Sequence, residues 1–167
     1  EELTRNLDRI FHAIIAQLDR FGGEVIYFSG DAVTCWVDGD DGSRATAAGL
    51  AMQDAMARVG EIVTPGGTAI RLAMKVAVAV GPARRFVVGD PEIQLIDVLA
   101  GRLIDALAIA EQLATSTEVL LDRSVLESLG DKVEIGGIRA DPETGREFGL
   151  LKSIRVAVDA APVAVAD

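Results

Sequence analysis

The residue best placed for chemistry is Asp31. It lies at the bend of the stretch Gly22-Gly23-Glu24-Val25-Ile26-Tyr27-Phe28-Ser29-Gly30-Asp31-Ala32-Val33-Thr34-Cys35-Trp36-Val37, where two short apolar runs meet around a tight turn. A carboxylate fixed by a hairpin is a pre-placed oxygen donor, the kind of ligand a hard divalent cation takes. The same Gly30-Asp31 pair also suits a hairpin on backbone grounds alone, since both residues tolerate turn conformations. Asp38, Asp40 and Asp41 crowd the next loop. They lack the spacing and the closing Glu of a calcium loop, so they read as a solvated cap for a following helix.

Other reactive side chains are scarce. His12 is the only histidine and Cys35 the only cysteine. Histidine-clustered metal sites, histidine-dependent triads and internal disulfides are therefore excluded within this chain. A single cysteine fits a reducing compartment. Cys35 alternates with apolar neighbours and reads as a buried small hydrophobe. His12, one position beyond Phe11, reads as a surface residue. Arg84-Arg85 could meet phosphates, but the better reading is an exposed strand edge protected by charge.

The elements that must hold Asp31 are legible from periodicity. Leu3, Leu7, Ile10, Phe11, Ile14, Ile15, Leu18 and Phe21 recur at helical spacing, which predicts an amphipathic helix over 3–21. Gly22-Gly23 ends it, and the hairpin follows. A second helix is expected to about Val59, with Ala48, Met52, Ala55, Met56 and Val59 on one face. Residues 70–80 and 85–88 read as strands broken by Gly81-Pro82. Gly89-Asp90-Pro91 reads as a turn starting a third strand, 93–99. A helix over 101–114, a strand over 118–121 and a helix over 124–129 come next. A closing pair of strands, 132–138 and 145–158, flanks Asp141-Pro142-Glu143. These hairpins imply antiparallel pairing, so the expected fold class is α+β, with helices packed on a mixed, mainly antiparallel sheet.

With 167 residues, half of them hydrophobic and a quarter charged, one soluble domain is expected. No apolar run approaches the roughly 18 residues that span a bilayer. Glu1-Glu2-Leu3 opens an acidic helical segment rather than a charged-then-apolar leader. The net charge of -10 opposes an electrostatic grip on nucleic acid. It is compatible with a nucleotide whose phosphates carry a metal, since carboxylates then hold the cation and the cation holds the phosphates.

The segment Phe28-Ser29-Gly30-Asp31-Ala32 resembles the catalytic homology domain of class III adenylate/guanylate cyclases, in particular a half-domain of the soluble, tandem type. Val87-Val88-Gly89-Asp90-Pro91 leading to Val98-Leu99-Ala100-Gly101 and an alanine-rich helix forms a second block of the resemblance. Glu118-Val119-Leu120-Leu121 forms a third, and the blocks occur in the family's order. The resemblance implies a ferredoxin-like sandwich. It assigns residues 1–159 to a cyclase homology domain lacking its first strand, and 160–167 to a linker.

The resemblance also implies an activity: conversion of ATP to 3′,5′-cyclic AMP and pyrophosphate, in cyclic-nucleotide signalling in the cytoplasm. Two Mg²⁺ or Mn²⁺ ions would serve it at an interface with a second cyclase homology domain. Asp31 matches the second of two metal aspartates, with Phe28, Ser29 and Gly30 shaping the loop near the triphosphate. The first aspartate belongs to a strand preceding Glu1. Base-reading positions hold Tyr27 and Val98. The transition-state Asn and Arg positions hold Asp105 and Ile109, and isoleucine has no guanidinium donors for a phosphoryl oxygen. The chain alone is therefore expected to turn over little. The alternative is a degenerate, non-catalytic regulatory or dimerisation module with the same fold.

Overall fold

The apolar stripe of the opening segment dictates the first packing layer. A computed structural model describes residues 2–64 and 66–161. In it, α1 (Glu2–Arg20) buries Ile10, Ile14 and Leu18, each four residues apart, against Met52, Ala55 and Met56 of α2 (Ser43–Val59). Four-residue spacing keeps such side chains on one face of a helix. Leu7 departs from the predicted stripe and is exposed. The helix stops at Gly22, whose φ of +73° is one that glycine alone adopts without strain. A Cβ there would lie 2.3 Å from the Ala161 carbonyl oxygen, so the position is closed to side chains on steric grounds too.

The acidic loop caps α2 as expected. The Asp40 carboxylate accepts from the Arg44 and Ala45 amides (3.1 and 2.9 Å), and Asp41 Oδ1 accepts from the Ser43 amide at 3.0 Å. These acceptors satisfy amide groups that a helix N-terminus leaves without partners.

Three two-stranded hairpins and a four-stranded sheet follow from the remaining runs. β1 (Gly23–Ser29) pairs antiparallel with β2 (Ala32–Val37), and β3 (Glu61–Val63) with β4 (Ala69–Arg71). β5 (Val76–Val78) lies parallel to β8 (Val119–Asp122). β6 (Arg84–Asp90) and β7 (Gln94–Ala100) make a separate hairpin between them. α3 (Arg102–Leu113) leads into β8, and α4 (Arg123–Leu129) follows it. β10 (Glu147–Ile154) then pairs with both β8 and β9 (Val133–Ala140), giving the order β5-β8-β10-β9. The outcome is the expected α+β class, with antiparallel hairpins, one mixed sheet and helices packed against it.

Two strand expectations are corrected. The predicted strand over 70–80 is split into β4 and β5, and β3 was not anticipated. The chain changes partner at Leu72–Met74: the Leu72 amide bonds Gly60 O at 2.8 Å, and Met74 O accepts from Gln53 Nε2 and the Thr117 amide. Gly89 and Asp90 are not a turn. They pair with Leu95 and Gln94 in the ladder, so the bend falls at Pro91–Ile93. At the carboxyl end, the Ala161 amide donates to Arg20 O at 3.0 Å. Residues 162–167 of the predicted linker lie outside the described residues.

The centre of the sheet is sealed by β8, buried throughout, and by Phe148 of β10. An ion pair borders it. Arg139 Nη1 donates to Glu118 Oε2 at 2.6 Å and to Leu113 O at 2.7 Å, while its Nη2 pairs with Glu118 Oε1. The Arg139 hydrogen bonds, with the Thr115 amide, hold the Glu118 carboxyl down from 4.5 to about 2. A depressed carboxyl contributes stability above its unfolded pKa and loses it as pH falls through the folded one. Stability is therefore expected to drop between about pH 4.5 and 2. Urea unfolding across that window should show a shallower drop in Glu118→Gln than in the wild type.

Candidate active-site hairpin

Asp31 is placed by its own turn. Ser29 pairs with Ala32, leaving Gly30 and Asp31 as the loop. Gly30 has φ +64° and Asp31 a negative φ, the pattern of a type II′ hairpin with glycine first. A register shift between Val25 and Tyr27 increases the local twist of β1 just before the loop. Phe28, Ser29, Gly30 and Asp31 are all exposed. Asp31 has no hydrogen bond or ion pair to another described residue.

The hairpin is anchored beneath that free carboxylate. Phe28 meets Phe11 of α1 edge to face, with ring centroids 5.6 Å apart at 81°. Such a contact fixes the base of the loop and leaves more than half of Phe28 to solvent. Cys35, on β2, packs against the α1–α2 core, and burial pushes its thiol up to about 11. It is the inert packing residue that the alternation predicted. His12 is exposed on α1.

The other singled-out residues lie elsewhere. Tyr27 and Val98 are half-buried on β1 and β7. Asp105 is exposed in the first turn of α3. Ile109, one turn further on, is half-buried and packs against the cluster formed by Ala110, Ala114, Leu120 and Phe148. Its side chain thus lines the margin of the core. Arg84 and Arg85 are both exposed on β6, the placement expected of strand-edge charges. Arg85 in addition forks between two carboxylates. Its Nε and Nη2 reach Asp97 Oδ2 at 2.8 and 2.6 Å, and its Nη2 reaches Glu24 Oε2 at 3.1 Å. No local pattern could reveal this, because Glu24 is distant in sequence.

A divalent cation of the magnesium type binds through one or two carboxylates plus phosphate oxygens. Asp31 supplies one such carboxylate on an accessible tip. Among the described residues, no group of three acids, histidines or cysteines stands together to hold a metal. Among the described residues β2 pairs only with β1 and β5 only with β8, so each keeps an open edge.

No protein-family model matches the chain, and no curated protein sequence does. Solved structures do. The guanylyl cyclase Cya2 superposes with a TM-score of 0.80 at 22% identity, over 97% of this chain and 86% of that one. The guanylate cyclase domain of RhGC from Catenaria anguillulae, solved in complex with GTP, gives 0.68 at 16% identity over 92% and 85%. The adenylyl cyclase CyaB from P. aeruginosa gives 0.67 at 19% identity over 92% and 84%. At these identities the likeness speaks to architecture, and it runs nearly the whole length of the chain: this is the fold of class III adenylyl and guanylyl cyclase catalytic domains.

Proposed function

We propose that this chain is the catalytic homology domain of a nucleotide cyclase, and the half of the pair that carries metal-binding carboxylate. The observation behind this reading is Asp31 itself: an unpaired, exposed carboxylate on a two-residue turn of a cyclase fold. The substrate class is a nucleoside triphosphate, with ATP the first choice from the resemblance. In the reaction the ribose 3′-hydroxyl loses its proton and its oxygen bonds the α-phosphorus. The bond from that phosphorus to the β-phosphate bridge breaks, and pyrophosphate leaves. Bound Mg²⁺ or Mn²⁺ would stabilise the attacking oxygen and the phosphate charge.

The chain's own residues set what it can contribute. Asp31 holds the cation, and Phe28, Ser29 and Gly30 shape the rim beside it. A net charge of -10 repels a free triphosphate, so a cation between carboxylate and phosphate is the means of approach. Val98 offers no side-chain hydrogen bond to a base. Asp105 and Ile109 offer no cationic group to a transferring phosphoryl, and Ile109 packs, half-buried, against the core. A second cyclase homology domain would therefore supply the asparagine and arginine. By the resemblance, the first of the two metal aspartates, the one that would join Asp31, would come from a strand that these residues do not include. No described helix is long and apolar enough to cross a membrane, and we place the domain in the cytoplasm on its single cysteine.

The packing of Ile109 favours one other reading, a regulatory module that keeps the fold without the reaction. The two readings separate in one assay. The parent protein, meaning this chain with any sequence that flanks it, is incubated with Mn²⁺ and ATP or GTP, and the products are resolved chromatographically. A cyclase makes 3′,5′-cyclic nucleotide and pyrophosphate in equal amounts, and the 167-residue chain alone makes almost none. Absence of product from the parent with both nucleotides sinks the catalytic reading. Robust turnover by the isolated chain would show that the missing parts are not needed.

A further inference from the structure

The β6–β7 hairpin stands out from the body. Every residue of β6 is exposed, as are Gln94, Leu95 and Ile96 of β7. Phe86, Val87, Val88, Leu95 and Ile96 are all among the exposed large hydrophobic residues. Burial begins only at its base, where Leu99 is buried. An arm held only at its base needs something to fix its angle, because its ladder hydrogen bonds are internal and bind it to nothing else.

Arg85 sits at that base. Its guanidinium spans Asp97 on the neighbouring strand of the arm and Glu24 on β1. Glu24 is paired with Trp36 in the hairpin that ends at Asp31. Asp97 directly precedes Val98 and the run into α3. One planar fork thus ties the hairpin presenting Asp31 to the hairpin leading into α3. A guanidinium can hold two carboxylates at fixed angles, which the point charge of a lysine cannot. The Asp97 carboxyl is held below the usual range by the same hydrogen bonds.

We propose that Arg85 is a positioning residue, a clip that sets the orientation of the β6–β7 arm on the Asp31 hairpin. Its consequence for catalysis rests on the cyclase reading above. The clip itself does not, and its test needs no activity. Spin labels are placed at Glu92→Cys on the arm tip and Asp54→Cys on α2, both exposed positions, with Cys35→Ala removing the native thiol. Pulsed dipolar spectroscopy then reads the distance distribution. The wild type should give one narrow peak. Arg85→Gln and Glu24→Gln should broaden it about twofold, and Arg85→Lys should fall between, because lysine keeps the charge and loses the planar fork.

Arg84→Gln, one residue away and outside the clip, should leave the width unchanged. Thermal unfolding should be nearly the same in all of them. Unchanged width in both Arg85→Gln and Glu24→Gln overturns the proposal, as does equal broadening by Arg84→Gln or a broad distribution in the wild type. If the arm loosens as expected but the parent makes no cyclic nucleotide, the clip stands and the cyclase reading falls.

Discussion

Replacing Asp31 with alanine in the parent protein is expected to reduce Mn²⁺-dependent cyclic nucleotide production on the order of a hundredfold or more. A metal that neutralises phosphate charge is worth several kcal/mol of transition-state stabilisation, and each ~1.4 kcal/mol is a factor of ten. Asp31→Asn keeps the turn, the size and the hydrogen-bonding shape, and removes only the charge. It should lose nearly as much activity as alanine. Both variants should fold normally, because Asp31 is exposed and bonds no other described residue. Unchanged circular dichroism and melting beside lost activity would locate the effect in the site. Undiminished product from Asp31→Ala would remove Asp31 from it. Raising the Mn²⁺ concentration should recover some activity in Asp31→Asn, since the amide oxygen remains a weak ligand.

Truncating Phe148 to alanine is expected to destabilise the 167-residue chain by about 3–5 kcal/mol, read from urea unfolding. Phe148 is fully buried on β10, between the β8 and β9 partners, against Leu120, Ala110 and Ala114. Two of those neighbours are alanines, with no flexible side chains to collapse into the space left behind. A cavity that cannot relax costs the lost contacts as well as the transfer term. Against a typical domain stability of ~5–15 kcal/mol, this is a large share. A loss below ~1 kcal/mol would show that the sheet centre is not where the stability lies.

The helices were legible because their apolar spacing is strong and uninterrupted. α1 and α2 end within about a residue of where Gly22 and Val59 place them. The Asp31 hairpin was equally plain, since Gly-Asp between two apolar runs is a turn by backbone chemistry alone. Residues 70–80 misled for a physical reason. Their pattern is continuous, but the chain trades one partner strand for another at Leu72–Met74, and pattern carries no record of partner. β3 is short and flanked by Gly60, so its few residues make no periodic signal. The candidate site was half legible: the turn that presents Asp31 could be read from the sequence, but the fork of Arg85 needs Glu24 and Asp97 brought together by the fold. Ile109 shows the opposite case, where apolar chemistry excluded a phosphate role before packing explained it.

The parallel pairing of β5 with β8 bears on how the molecule tolerates change in length. Everything in residues 79–118, including the whole β6–β7 hairpin, is an excursion between two strands that lie side by side. Closing such an excursion costs entropy that grows only with the logarithm of its length, about 0.6 kcal/mol for each doubling. The exposed bend at Pro91–Ile93 is therefore a port. Residues added there extend the reach of the arm and leave the sheet that closes beneath it intact, so reach and stability can vary separately.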